Sequence, residues 1–248
     1  MPTYTTTAIT LQHYPLGEHD RLLELFTREH GLKRIVAKGA RRAKSKLGAR
    51  TEPLIHATWF LGKGRNLDVV AQCETVHAHR GLRADLDRLM AGLYLAELTG
   101  HSVIEAQPHP DLFDLFAASL LALEVAESPE LVTAWYELAV LNELGYAPEL
   151  GVCAQCAGDL DSGACGFSGE IGGCLCESCQ AVLGAPILSR RALDLLRRLS
   201  DVELTRLLPH ALAPALVGQA RAAIASLLEA HAGRPFKTLA VGLGGGLA

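Results

Sequence analysis

The chain has 248 residues, with 23 Lys and Arg against 27 Asp and Glu, a formal net charge of -4 and 49% hydrophobic residues. That length supports one large or two small domains with a real core, and the composition excludes a disordered or fibrous chain. The total charge counts against a nucleic-acid partner, but its distribution reverses the inference: residues 1–80 carry a net +6 and residues 81–248 a net -10. Nine basic residues and a single acid, Glu29, stand between Arg28 and Arg50, whereas not one Lys or Arg occurs from Leu89 to Ser189. Such polarity suggests a basic binding module joined to a body that does not bind polyanions.

The opening stretch, residues 1–17, is uncharged but holds five Thr and two Pro, so it reads neither as a signal-peptide core nor as a spanning helix. Short runs rich in β-branched and aromatic residues follow, predicting strands over 3–11, 21–27, 32–38, 53–61 and 67–78. Turn residues separate them at Gly17, at Gly31 and at 62–66. Five strands in about 80 residues suit a small barrel, either a five-stranded OB-fold or an SH3-like barrel. The expected fold is therefore α+β and multidomain, opening with an OB-fold DNA-binding domain over residues 1–80.

Between the third and fourth strands lies the basic segment. Lys33, Arg34, Lys38, Arg41, Arg42, Lys44, Lys46 and Arg50 surround Gly39-Ala40-Arg41-Arg42-Ala43-Lys44-Ser45-Lys46, which is too polar for a core strand. A flexible loop of this kind can follow a phosphate backbone by ionic contact without reading bases. Trp59 and Phe60 are adjacent in a predicted strand and must face opposite ways, so one fills the barrel and the other is available for base stacking. Tyr14 is a further stacking candidate. The ten His form no constellation with a nucleophile or metal, and His77-x-His79 reads as strand surface.

After residue 80 the apolar period lengthens. Leu86, Leu89, Met90 and Leu93, then Leu112, Phe113, Phe116 and Leu120, then Leu131, Trp135 and Leu138 recur at helical spacing. Pro110 and Ser128-Pro129 mark helix starts and Gly145 a stop. Helical spacing returns over 190–199 and 215–231. The predicted architecture is a helical bundle over 81–150 and 181–240, interrupted by a cysteine module at 151–180. The tail, residues 241–248, is Gly-rich and reads as flexible. Its glycines precede no helix, so they make no phosphate-binding loop.

The module contains Cys153-Ala-Gln-Cys156 and Cys176-Glu-Ser-Cys179. Two such knuckles at this separation match a zinc finger, each presenting two thiolates to one tetrahedral ion. Four thiolates leave no open coordination position, so the expected Zn2+ is single and structural. Cys174 offers a neighbouring thiol, but with Cys179 it makes a less regular C-x4-C knuckle, which favours Cys176. Cys73 and Cys165 lack paired partners. A zinc deaminase would need H-x-E ahead of its cysteines, and the sequence contains none.

Three stretches carry a resemblance. Gly17-Glu18-His19-Asp20-Arg21, Leu25-Phe26-Thr27-Arg28-Glu29-His30-Gly31-Leu32-Lys33 and Val36-Ala37-Lys38-Gly39-Ala40-Arg41-Arg42-Ala43-Lys44-Ser45-Lys46-Leu47-Gly48 resemble the N-terminal region of RecO, a family of bacterial DNA repair and recombination mediators. The order of basic barrel, helical body and four-Cys insert is similar too, as is Arg234-Pro235-Phe236-Lys237-Thr238-Leu239 to the family's terminal basic segment, with Thr238 where Ser is common. The resemblance implies a non-catalytic, cytoplasmic, nucleoid-associated protein of the RecF pathway that binds single- and double-stranded DNA and anneals strands. It also implies that the protein acts with RecR, sometimes with RecF, to load RecA onto DNA covered by single-stranded DNA-binding protein (SSB). A zinc-containing adaptor working mainly through protein contacts, with SSB's acidic tail on the basic head, is the alternative expectation.

Overall fold

The computed structural model of the protein describes residues 2–160 and 163–232. The fold is α+β. Five strands, β1 (Thr3–Leu16), β2 (Asp20–Thr27), β3 (Gly31–Ala37), β4 (His56–Gly62) and β5 (Asp68–His77), close into a barrel in the order β1-β2-β3-β5-β4. Neighbours are antiparallel except β3 and β5, which run parallel through Ile35 opposite Asp68 and Val36 opposite Val69.

Alternation within each strand builds the core. In β4, Ala57, Trp59 and Leu61 point inward and are fully buried, joining Leu23, Leu25, Ile35 and Cys73. The first strand is longer than its apolar run predicts. It pairs with β4 from Thr3 to Ile9 and with β2 from Ala8 to Leu16, and an irregularity between Thr10 and Gln12 lets it serve both neighbours.

Two compact units divide the chain, Met1–Glu124 and Val125–Ala248. The first holds the barrel with α1 (Arg80–Arg83), α2 (Leu86–Ser102) and α3 (Pro110–Val125) up to Glu124. The Asp85 carboxylate caps α2 by accepting from the Arg88 N–H at 3.0 Å. Phe113 of α3 meets Phe26 of β2 and His56 of β4, with ring centroids 5.6 and 5.7 Å apart. The apolar stripes of residues 86–123 thus cover barrel strands, whereas the sequence reading grouped every helix after residue 80 in one bundle. A stripe reveals that a helix is buried but not what it is buried against.

The second unit contains α4 (Pro129–Glu143), β6 (Cys165–Ser168), β7 (Gly173–Leu175), α5 (Glu177–Leu183), β8 (Ile187–Leu188), α6 (Arg190–Asp201) and α7 (Pro214–Ala232). Ser128 caps α4 with Pro129 at its first turn, and Gly145 turns the chain away at φ +80°. Helices α4, α6 and α7 pack together. Glu137, 2% exposed, is held by Arg221 at 2.8 Å, and Trp135 Nε1 donates to Val202 O at 2.9 Å. The small sheet has the order β7-β6-β8. No described helix is long and apolar enough to cross a membrane. Residues 234–239, with their basic segment, and the tail 241–248 lie outside the described residues.

Candidate metal centre and nucleic-acid interface

The first knuckle is a tight turn. Cys153 N donates to Gly158 O and Ala157 N to Cys153 O, both at 2.8 Å, with Ala157 in the left-handed region at φ +57°. The second knuckle sits where β7 runs into α5, with Cys176 as the residue before the helix and Cys179 in its first turn. The two knuckles are registered through the β6-β7 hairpin: Ala154 N donates to Cys174 O at 2.8 Å, and Cys174 N donates to Glu149 O at 2.8 Å. Gly173 is required there, because a Cβ at that position would stand 2.3 Å from Glu149 O.

The Sγ atoms of Cys153, Cys156, Cys176 and Cys179 all lie within 4.8 Å of one another. Cys156 Sγ and Cys176 Sγ are 3.8 Å apart, the edge of a tetrahedron whose metal–sulfur bonds are about 2.3 Å. Cys153 is buried, Cys156 exposed, and Cys176 and Cys179 intermediate. Burial opposes ionisation of Cys153, yet the backbone N–H groups of Cys176, Cys156 and Gln155 outweigh it and pull the thiol down to about 6. The neighbouring Cys176 and Cys156 thiols push Cys179 up to about 12. Four thiolates can coexist at this spacing only around a cation, so the donor set fits one tetrahedral metal ion. Cys174 is not part of it. Fully buried on β7, its Sγ lies 3.4 Å from Cys165 Sγ on β6, and it is Cys176 that joins the cluster.

In the barrel, the basic residues divide into two groups. Lys33 Nζ is 3.1 Å from Asp68 Oδ2 and sits over the Tyr4 ring. Arg34 Nε is 3.3 Å from Glu24 Oε1. Both are strand residues paired with acids on neighbouring strands. Lys38, Arg41, Arg42, Lys44, Lys46 and Arg50 are exposed and lie on the connection between β3 and β4.

That connection is not the flexible loop its composition predicts. It is a series of turns: Arg41 N donates to His19 O at 2.9 Å, Arg42 N to Gly39 O at 3.1 Å and Ser45 N to Arg42 O at 2.9 Å. Gly39, at φ +65°, donates its N–H to Asp20 Oδ1 at 2.7 Å. Ala40 is buried in the barrel core and Leu47 packs against it. Arg41 Nη1 also donates to Gly17 O at 3.0 Å, and Arg50 Nη1 to Cys73 O at 2.8 Å.

Of the stacking candidates, Trp59 is corrected. Its ring is fully buried and its Nε1 donates to Ala8 O at 3.3 Å, so it fills the barrel and offers no face to a base. Phe60 lies on the outer side of β4 and is partly exposed, and Tyr14, near the end of β1, is 46% exposed. His77-x-His79 is also corrected as simple strand surface. His79 follows β5 at φ +43° and is 1% exposed. Burial, with the nearby His77, His56 and Arg83, holds its imidazole down to about 3 and therefore neutral. His77, His79 and Glu124 bring their ligand atoms within 4.8 Å of one another. The x-spacing of the two His was visible in the sequence, but their carboxylate comes from the far end of α3.

Comparison with known proteins fits this arrangement. A family model described as "Recombination protein O N terminal" matches residues 1–79, and one described as "Recombination protein O C terminal" matches residues 83–240. The DNA repair protein RecO of Desulfitobacterium hafniense is 37% identical over 211 residues, covering 84% of this chain and 77% of that protein. The DNA repair protein RecO of Cutibacterium acnes is 38% identical over 206 residues, covering 80% and 82%, and that of Rubrobacter xylanophilus is 36% identical over 182 residues, covering 73% of each. With both halves matched and relatives aligned over most of their length, the chain belongs to the RecO family of DNA repair proteins.

Proposed function

We propose that this RecO-family chain is a DNA-binding recombination mediator that anneals complementary strands and, in the RecF pathway, helps load RecA onto SSB-coated single-stranded DNA together with RecR. The observation that carries the reading is the connection between β3 and β4, which holds six exposed cations, Lys38, Arg41, Arg42, Lys44, Lys46 and Arg50, within 13 consecutive positions. Annealing requires two polyanions to be neutralised while their base edges stay free, and side chains that bind phosphate do this without reading sequence. The strand order, closed by a parallel β3-β5 pair, supports reading the barrel as an OB-fold.

The four cysteines hold one structural Zn2+, which organises the insert and takes no part in chemistry. The role is non-catalytic, and the site of action is the cytoplasmic nucleoid. RecR, the C-terminal tail of SSB and RecF are the protein partners. Annealing of complementary oligonucleotides, with and without SSB, tests the reading. The full chain accelerates annealing, and a variant with Lys38, Arg41, Arg42, Lys44 and Lys46 neutralised does not. Equal rates for the two would overturn it.

A second reading, an adaptor acting mainly through protein contacts, is favoured by one feature of the second unit. Ile187 is 70% exposed and, with Leu183, Pro186 and Ala223, lines a cavity of about 630 Å³. Gel shifts on naked DNA without other proteins separate the two, because an adaptor leaves the DNA unshifted.

A further inference from the structure

His77 closes β5, His79 follows two residues on, and Glu124 lies near the end of α3, all within the first compact unit. His77 Nε2 is 3.7 Å from Glu124 Oε2 and His79 Nδ1 is 3.9 Å from Glu124 Oε1. Three donors bound about 2.1 Å from one tetrahedral ion stand about 3.4 Å apart; the two His–Glu distances lie within about half an ångström of that value, and all three ligand atoms fall within 4.8 Å of one another.

A second observation is independent of that spacing. His79 is 1% exposed, and among the described residues neither of its ring nitrogens has a hydrogen-bond partner. Buried polar atoms are ordinarily paired, and one that is not needs a reason. The backbone holds the ring in place from a left-handed conformation, φ +43°, that non-glycine residues seldom adopt. The carboxylate is already oriented as a metal-binding group would be, since Gly81 N donates to Glu124 Oε1 at 3.0 Å. His56, paired with His77 across β4 and β5, adds a further buried and unpartnered Nε2 near the cluster.

We propose that His77, His79 and Glu124 form a second metal site, distinct from the cysteine centre, that takes a divalent zinc-like cation with three protein ligands and a water in the fourth position. Two imidazoles and one carboxylate suit zinc or cobalt better than magnesium or calcium, which prefer oxygen alone. The bound cation ties the end of β5 to the end of α3. Occupancy has a cost: His77 Nδ1 accepts the His79 N–H at 3.1 Å, and coordination through Nε2 moves the ring proton to Nδ1 and gives up that bond. The site is therefore weaker than the four-thiolate centre and is lost first on dialysis.

The test uses tag-free full-length protein, because a His tag would bind the same ions. Co2+ is titrated in under reducing conditions and followed by absorption. A thiolate-bound ion gives an intense charge-transfer band in the near ultraviolet, whereas an ion on nitrogen and oxygen gives only weak visible bands. The expected result is a second saturable equivalent with the weak visible bands alone. His77→Ala, on a half-exposed residue, and Glu124→Gln each lower its affinity at least about tenfold, while the thiolate band and the circular dichroism spectrum are unchanged. His79→Ala behaves in the same way. Absence of the second equivalent, or its persistence in both His77→Ala and Glu124→Gln, overturns the proposal.

Discussion

Cys165 Sγ and Cys174 Sγ lie 3.4 Å apart on neighbouring strands, both buried. This contact satisfies Cys174 within the β6-β7 hairpin and turns it away from the four-Cys cluster two residues later. Cys174→Ser is expected to leave one zinc per chain, whereas Cys176→Ser, which removes one vertex of the tetrahedron, releases the ion. Elemental analysis of protein purified under reducing conditions decides this. Equal zinc content in the two variants would contradict the ligand assignment. Removing the ion with a chelator is expected to unfold the insert, since structural zinc contributes on the order of 10 kcal/mol of apparent binding free energy.

If the exposed cations on the β3-β4 connection are the DNA contacts proposed above, they set the salt dependence of binding. If each of the six contacts one phosphate, the log-log slope of single-strand affinity against salt is about -4. Replacing Lys38, Arg41, Arg42, Lys44 and Lys46 by neutral residues is expected to flatten the slope by about 3.5 units, whatever the DNA sequence. Lys33→Gln and Arg34→Gln leave the slope almost unaltered, because those side chains already face Asp68 and Glu24. Filter binding over a range of salt concentrations reads both effects.

Two of the aromatic candidates, Trp59 and Tyr14, separate by where they fail. Trp59→Ala empties the barrel core and is expected to cost about 3–5 kcal/mol of stability. Tyr14→Ala folds normally and weakens single-strand binding by about 1–3 kcal/mol if a base stacks on it. Thermal unfolding beside binding titrations assigns each loss. Normal affinity in folded Tyr14→Ala would exclude that ring from the interface.

Asp68 links three elements, since its Oδ2 accepts from Tyr4 Oη at 2.5 Å and meets Lys33 Nζ at 3.1 Å. Partial burial opposes ionisation of its carboxyl, but Tyr4, Lys33 and the Gly64 N–H outweigh that and hold it below the usual carboxylate range. A folded value below the unfolded one means that the unfolded chain binds the proton first as pH falls. The stabilisation is complete above about pH 4 and disappears as pH drops through the folded value. Asp68→Asn is expected to cost about 1–3 kcal/mol at neutral pH and to make the acid-unfolding curve less steep. Denaturant melts at pH 7 and at successively lower pH check it, with the gap between the two proteins narrowing as the pH falls below about 4.

Where local chemistry alone decides structure, the sequence was legible. A short run rich in β-branched and aromatic residues located β4, predicted over 53–61 and observed over His56–Gly62, Ser128-Pro129 marked the start of α4, and paired C-x2-C spacing brought out four cysteines that converge in space. What escaped depended on contacts between distant parts of the chain. Lys33 and Arg34 looked like free cations because Asp68 and Glu24 join them only when the strands pair. His79 looked like strand surface because the chain leaves β5 in a left-handed turn and α3 then delivers Glu124. Trp59 and Phe60 were known to face opposite sides, yet only closure of the barrel decides which side is inside.

Ala40 and Leu47, seated at the barrel core on either side of Arg41, Arg42, Lys44 and Lys46, set a limit on how this cationic segment can vary. Held at two points, it behaves as a short bridge and not as a tether. Little chain entropy remains to be lost when a polyanion arrives, and the charges cannot reach far to follow one that departs.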